Sequence, residues 1–165
     1  MPTRKKKTVP DILILVAPYF EEKAVVYCLS KLRQQGFMVS LVSVTPGQVQ
    51  SQQGVGLCPN ASLSEADELL ADAAADKPQL VLLAGGSACA AVVLADPRTH
   101  RLVERVLHRG GYVAAMTETF ALIKETGLLR AEWGERFLRQ EGGVETAVFV
   151  QQITNQLNKT GNMRR

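Results

Sequence analysis

Asp11–Ala17 reads DILILVA and is followed at once by Pro18-Tyr19-Phe20 and the acidic pair Glu21-Glu22. A short, unbroken run of leucine and β-branched residues, with no polar alternation, fits a strand buried on both faces. From Glu21 to Gln35, Val25, Cys28, Leu29 and Leu32 recur at helical spacing, and Gly36 stands where a helix C-cap glycine belongs. The chain therefore opens with a buried strand, an amphipathic helix and a stop.

The same order repeats downstream. Phe37–Val44 reads as a second buried strand punctuated by Pro46-Gly47. Gln48–Leu57 is polar, with Gly54-Val55-Gly56 near its end, and fits a small hairpin. Ser62 and Glu65 have capping-box spacing ahead of a helix over Leu63–Ala75, which Pro78 closes. Gln79–Leu83 is a third buried strand and runs into Ala84-Gly85-Gly86-Ser87, read as a loop whose glycines let a ligand approach the backbone. Asp96 and Pro97 supply an N-cap and a first helical residue for Arg98–His108, ended by Gly110-Gly111. Tyr112–Met116 follows as a fourth strand, Phe120–Glu125 as a helical run, Phe137–Arg139 as a last short strand, and Val144–Leu157 as a final amphipathic helix.

Strands alternating with helices imply right-handed crossovers and a mostly parallel sheet covered on both faces. The expected fold is a doubly wound α/β domain of the flavodoxin-like kind. Ligands of such sheets bind beyond the carboxyl ends of the strands. That singles out Pro18–Lys23, Ala84–Ala88 and Thr117–Phe120.

Composition agrees with one ordinary domain: 165 residues, 46% hydrophobic and 21% charged. The apolar runs are too short to cross a bilayer, and the basic N-terminus lacks the h-region and cleavage site of a secretory signal. A cytoplasmic protein is expected, with no membrane partner. The net charge of +3 is more than accounted for by Arg4, Lys5, Lys6, Lys7, Arg164 and Arg165. Residues 1–10 and 159–165 are thus read as flexible tails around a near-neutral domain spanning 11–158. Nucleic acid is an unfavoured partner, because only those tails speak for it. Cys28, Cys58 and Cys89 show no metal-ligand spacing and imply no disulfide framework, so neither a metal nor a cofactor is expected.

The loop after the first strand, APYFEEK, carries no G-x-G-x-x-G and no G-x-x-x-x-G-K-[ST], which excludes a Rossmann dinucleotide site and a P-loop. It offers instead Glu21-Glu22 opening the first helix. Cys58-Pro59-Asn60-Ala61-Ser62-Leu63 precedes the second helix, Leu83-Ala84-Gly85-Gly86 follows the third strand, and Ala114–Phe120 makes a strand-to-helix turn. This set resembles the DJ-1/PfpI family over about residues 10 to 129, with Val144–Lys159 as a continuation.

The resemblance implies a cysteine on a sharp elbow after the fourth strand, a glutamate from the first helix at its sulfur, and a histidine on a later segment. Thr117 falls at the elbow position and Ala24 at the glutamate position. The segment between Gly127-Leu128-Leu129 and Phe137 is too short for the histidine, and His100 and His108 lie on an earlier helix. A threonine hydroxyl needs an adjacent base to attack anything, and the candidates are Glu118, Glu21 and Glu22. Gly85 and Gly86 could still present donors to an anion or a carbonyl oxygen. Cys89 is the one candidate substitute thiol, while Cys28 is read as core. Trp133 is left unassigned.

Two functional readings follow, besides the weaker one of a nucleic-acid-associated protein acting through the basic tails. The first is a noncatalytic protein binding a small ligand or a protein partner through a pocket of Glu21, Glu22, Gly85, Gly86, Ser87, Thr117 and Glu118. The second is a hydrolase, hydratase or glyoxalase-type enzyme rebuilt around Thr117, Glu118 and Cys89. The resemblance also implies a homodimer formed through the first helix and the region before Cys58. Val25, Leu29 and Leu32 are expected to face the sheet, leaving Val26, Tyr27 and Leu63 as apolar contact candidates. Cys58 is either near that contact or a small buried side chain.

Overall fold

A computed structural model describes residues 8–71, 77–128 and 130–163. The first strand, β1 (Ile12–Val16), is buried along its whole length, as its unbroken apolar run requires. It leads to α1 (Glu22–Gln34) and β2 (Val39–Ser43), after which β3 (Val49–Gln50) and β4 (Gly56–Leu57) form an antiparallel hairpin. Next come β5 (Ala61–Ser62), α2 (Leu63–Ala71) and β6 (Leu80–Leu83). Then α3 (Gly86–Ala95), α4 (Pro97–His108), β7 (Tyr112–Ala115) and α5 (Thr117–Glu125) follow. A 3-10 helix (Ala131–Arg136), β8 (Phe137–Arg139) and α6 (Thr146–Met163) complete the chain.

Six strands form one sheet in the order β5-β2-β1-β6-β7-β8, and every pairing in it is parallel. The chain steps one way from β1 to β2 and the other way from β6 to β7. Right-handed crossovers in opposite directions put α1 on one face and α4 on the other. On the first face α6 packs beside α1, and on the second α2 and α3 pack against α4. The sheet is therefore covered on both sides. Its switch point lies between β1 and β6, and the carboxyl ends of the strands at such a point are where doubly wound sheets form their binding crevice.

Several local expectations hold. Glu65 N–H reaches the Ser62 hydroxyl at 3.4 Å, and the Asp96 carboxylate accepts from Arg98 N–H at 2.8 Å with Pro97 at the first helical position. Others need correction. The segment expected to be a loop over Ala84–Ala88 becomes, from Gly86 onward, the start of α3. Its sequence GSACAAVVLA has no charge and no amphipathic period, so the helical pattern was invisible. α5 begins at Thr117 rather than Phe120, because Met116 already has the extended conformation of an N-cap. α6 continues to Met163, past the domain boundary placed at residue 158. Residues 1–7, 72–76 and 164–165, which include most of the expected N-terminal tail and the last part of the expected second helix, lie outside the described residues.

Candidate functional site

Glu21 is the N-cap of α1. Its carboxylate accepts from the N–H groups of Lys23 at 3.1 Å and Ala24 at 2.8 Å, which occupies it with the first turn of its own helix. Its own N–H donates to the carbonyl of Gly85 at 2.8 Å, so the loop after β1 is tied to the end of β6. Gly86, with φ at +84°, takes a left-handed backbone that favours glycine, and a Cβ added to it would lie 3.6 Å from that of Glu21. The structure thus brings Glu21, Gly85 and Gly86 together at the crevice. Glu22 is half-buried on the first turn of α1, and Ser87 is exposed at the start of α3.

Tyr19 has φ of +65°, a costly conformation for a residue with a side chain. Its N–H donates to the carbonyl of Gln50 at 2.9 Å, which docks the hairpin on the rim of the crevice. The sequence singles out the loop Pro18–Lys23 that contains Tyr19 but gives no sign of its left-handed backbone.

One strand over, Thr117 and Glu118 open α5 and are exposed. The Thr117 hydroxyl donates to the main-chain carbonyl of Gln140 at 2.9 Å, with the Gln140 side-chain oxygen 3.5 Å away. That side-chain oxygen also accepts from Thr117 N–H at 3.4 Å. The Gln140 amide is fixed in turn by donating to the carbonyl of Val144 at 2.7 Å. These partners are an amide and a peptide oxygen, neither of which takes a proton at neutral pH. Glu118 is not a partner of the hydroxyl. Gln140, in a polar stretch with no motif, was also missed from the sequence.

Cys89 is buried, and its Sγ accepts from Ala17 N–H at 3.2 Å. Burial pushes this thiol up to about 11, against the lowering effect of the Ala17 hydrogen bond. Cys28 is pushed higher, to about 12, first by burial and then by the charge of Glu21. Neither is a ready thiolate. Cys58 is exposed, which overturns its reading as a small buried side chain.

Leu63, the first residue of α2, is buried at 2% exposure and is corrected from a contact candidate to a core residue. Val26 and Tyr27 are open on α1, at 44% and 37%. Leu29 is only half-buried, so it faces the sheet less fully than Val25 and Leu32. His100 bonds the carbonyl of Leu94 at 2.7 Å, and His108 packs edge-on against the buried Trp133 at 5.1 Å. Among the described residues no group of acidic, histidine or cysteine side chains could hold a metal, and no helix is long and apolar enough to cross a membrane.

The DJ-1/PfpI family matches residues 10–133 of this sequence. The chain belongs to the DJ-1/PfpI family. Among solved structures, Toxoplasma gondii DJ-1 in an oxidised form is similar with a TM-score of 0.73 at 19% identity, over 91% of each chain. A DJ-1 superfamily protein of Salmonella typhimurium, solved as a cysteine-to-alanine variant, gives a TM-score of 0.72 at 20% identity over 90% of each chain. Drosophila melanogaster DJ-1beta gives 0.71 at 18% identity over 91% of each chain. At these identities the likeness is one of fold. No curated protein matches the sequence.

Proposed function

We infer that this DJ-1/PfpI member is noncatalytic at its elbow and acts by binding a small ligand or a protein partner at the crevice beyond β1, β6 and β7. The observation that carries the reading is the Thr117 hydroxyl held on the carbonyl of Gln140 at 2.9 Å, with no base among its hydrogen-bond partners in the described residues. An alcohol so placed has nothing to take its proton. Cys89 does not replace it, since its thiol is buried and poorly ionised.

Binding outlasts chemistry in this proposal because α3 and α5 both begin at the crevice, and neither has a capping side chain from its own N-cap residue. Helix N-termini carry partial positive charge, which suits an anionic or carbonyl-bearing group. The protein works as a homodimer in this reading, pairing through the open Val26 and Tyr27 face of α1.

Purified protein given α-oxoaldehydes, simple esters and peptides should show no turnover above buffer. Robust turnover that disappears in Thr117→Ala would reject the noncatalytic reading.

A further inference from the structure

A cavity of about 750 Å³ lies away from the crevice floor, between α5, the 3-10 helix, β8 and α6. β8 is the edge strand of the sheet and has only three residues, so its outer flank is not covered by another strand. The apolar wall is made by Phe120, Phe137, Leu138, Phe149 and Ile153. Phe149 and Ile153 are fully buried from α6, while Phe120, Phe137 and Leu138 are only half-buried. These three large side chains converge on one space without filling it. The volume lies in the range of small-molecule sites.

The charged side chains that line the cavity are Arg130, Arg139 and Glu141, and Lys124 lies nearby. The Arg139 guanidinium lies 4.9 Å over the ring of Phe120, and the Lys124 ammonium lies 5.6 Å from the same ring. Arg130 lies 5.2 Å over the ring of Trp133. Both arginines already meet carboxylates: Arg139 reaches Glu141 at 3.5 Å, and Arg130 reaches Glu104 at 3.1 Å and Glu132 at 3.8 Å. All of these pairs are exposed on both sides, and such pairs stabilise little. A ligand carboxylate anchored by an apolar body in a less hydrated recess competes well for the same guanidinium, which can bind it through two parallel N–H donors.

The geometry points to a binding site for a small organic carboxylate with an aromatic or branched apolar body, whose ring lies against Phe120, Phe137 and Phe149 and whose anion meets Arg139. This goes beyond the crevice reading and stands or falls apart from it, because none of the candidate pocket residues Glu21, Glu22, Gly85, Gly86, Ser87, Thr117 and Glu118 lines the cavity. Arg139 sets the charge preference, and the apolar wall sets the shape.

The test uses the full chain with phenylbutyrate and its neutral isostere phenylbutyramide, followed by ligand-observed NMR and by emission of Trp133, the only tryptophan. Phenylbutyrate should bind about tenfold more tightly than the amide, the discrimination expected of one charge-assisted contact. Arg139→Gln should erase that difference while leaving amide binding in place. Gly134 also lines the cavity, and a Cβ added there meets nothing within 4 Å. Gly134→Leu should therefore fold and block both compounds. Equal binding of acid and amide, no binding at millimolar ligand, or unchanged binding in Gly134→Leu would each overturn the proposal. None of these outcomes needs an Arg139 variant to be stable.

Discussion

The main-chain N–H of Ala17 donates to the Sγ of Cys89 at 3.2 Å, tying the end of β1 to the first turn of α3 across the mouth of the crevice. A sulfur in that place is part of the scaffold. With its thiol pushed up to about 11 by burial, Cys89 has very little thiolate at neutral pH. Brief low-dose peroxide should leave Cys89 and Cys28 unmodified by mass spectrometry, and exposed Cys58 should react first. Rapid sulfinic acid at Cys89 would point to a relocated redox site.

The same burial sets a pH dependence. Cys28 and Cys89 ionise at about 12 and 11 in the folded chain against an ordinary value of 9.0. Below pH 9 both states keep the proton and the thiols add no pH dependence. Above it the unfolded chain releases protons that the folded chain retains, so stability falls as pH rises through 9 toward 12. Urea midpoints measured across that window should decline, and the decline should be shallower in the Cys28→Ala/Cys89→Ala double variant.

Gly85 has an ordinary backbone, with φ at −85°, so an alanine there meets no conformational objection. The obstacle is packing, since its Cβ would stand 2.5 Å from the Cys89 Sγ and 3.3 Å from the Phe20 Cβ. Gly85→Ala should therefore cost about 1–3 kcal/mol, the range for overpacking a filled site. Adding Cys89→Ala removes the sulfur but keeps a Cβ at 3.0 Å, and should recover part of the loss. Denaturation of the two single variants and the double variant gives the coupling directly; simple additivity would rule out this clash as the cause.

The glycine pair was legible in the sequence as a place of close backbone approach, but not the reason for it. β1, β2, β6 and β7 were legible because buried parallel strands write continuous apolar runs. α4 was legible from Asp96-Pro97 and its apolar period. α3 was not, because alanine, valine and leucine on all sides leave no period to read. Glu21 and Gly85 were read as neighbours in one candidate pocket, and the bond that joins them is main-chain to main-chain and has no side-chain signature. Gln140 was beyond reach for a different reason. It meets Thr117 through the parallel pairing of β7 with β8, and a register between strands 23 residues apart is set by tertiary packing rather than by local sequence.

Asp96 offers a test of the local signals that did hold. Its carboxylate caps α4 and also receives the Arg98 side chain at 2.8 Å, while Arg98 reaches the Val44 carbonyl at 3.1 Å and the Ser64 hydroxyl at 2.8 Å. The hydrogen bonds from the Arg98 side chain, then its N–H and its charge, hold the Asp96 carboxyl below the usual range. A depressed carboxyl adds stability that is present above its ordinary value and is lost as pH falls through the lowered one. Asp96→Ala should cost about 1 kcal/mol at neutral pH, the usual loss for an N-cap. The difference from wild type should shrink in acid, which paired melts at neutral and acid pH would show.

Assembly is the remaining test. Val25, Cys28 and Leu32 are fully buried against the sheet, and α1 turns Val26 and Tyr27 the other way, at 44% and 37% exposure. Beside them Leu29, Ser30, Arg33 and Gln34 line a shallow depression. Two large apolar side chains next to a concave, mixed surface suit a self-complementary contact about a two-fold axis, in which each position is used twice. A charge introduced at Val26 is then buried twice in the dimer, yet it stands in water in the monomer, where an exposed helix position tolerates it. Val26→Asp should therefore give a folded monomer with wild-type circular dichroism, and Lys5→Asp in the N-terminal region should leave assembly unchanged. Light scattering at high micromolar concentration distinguishes these outcomes, and a monomeric wild-type protein would reject the α1 dimer while leaving the fold and the Thr117 argument as they stand.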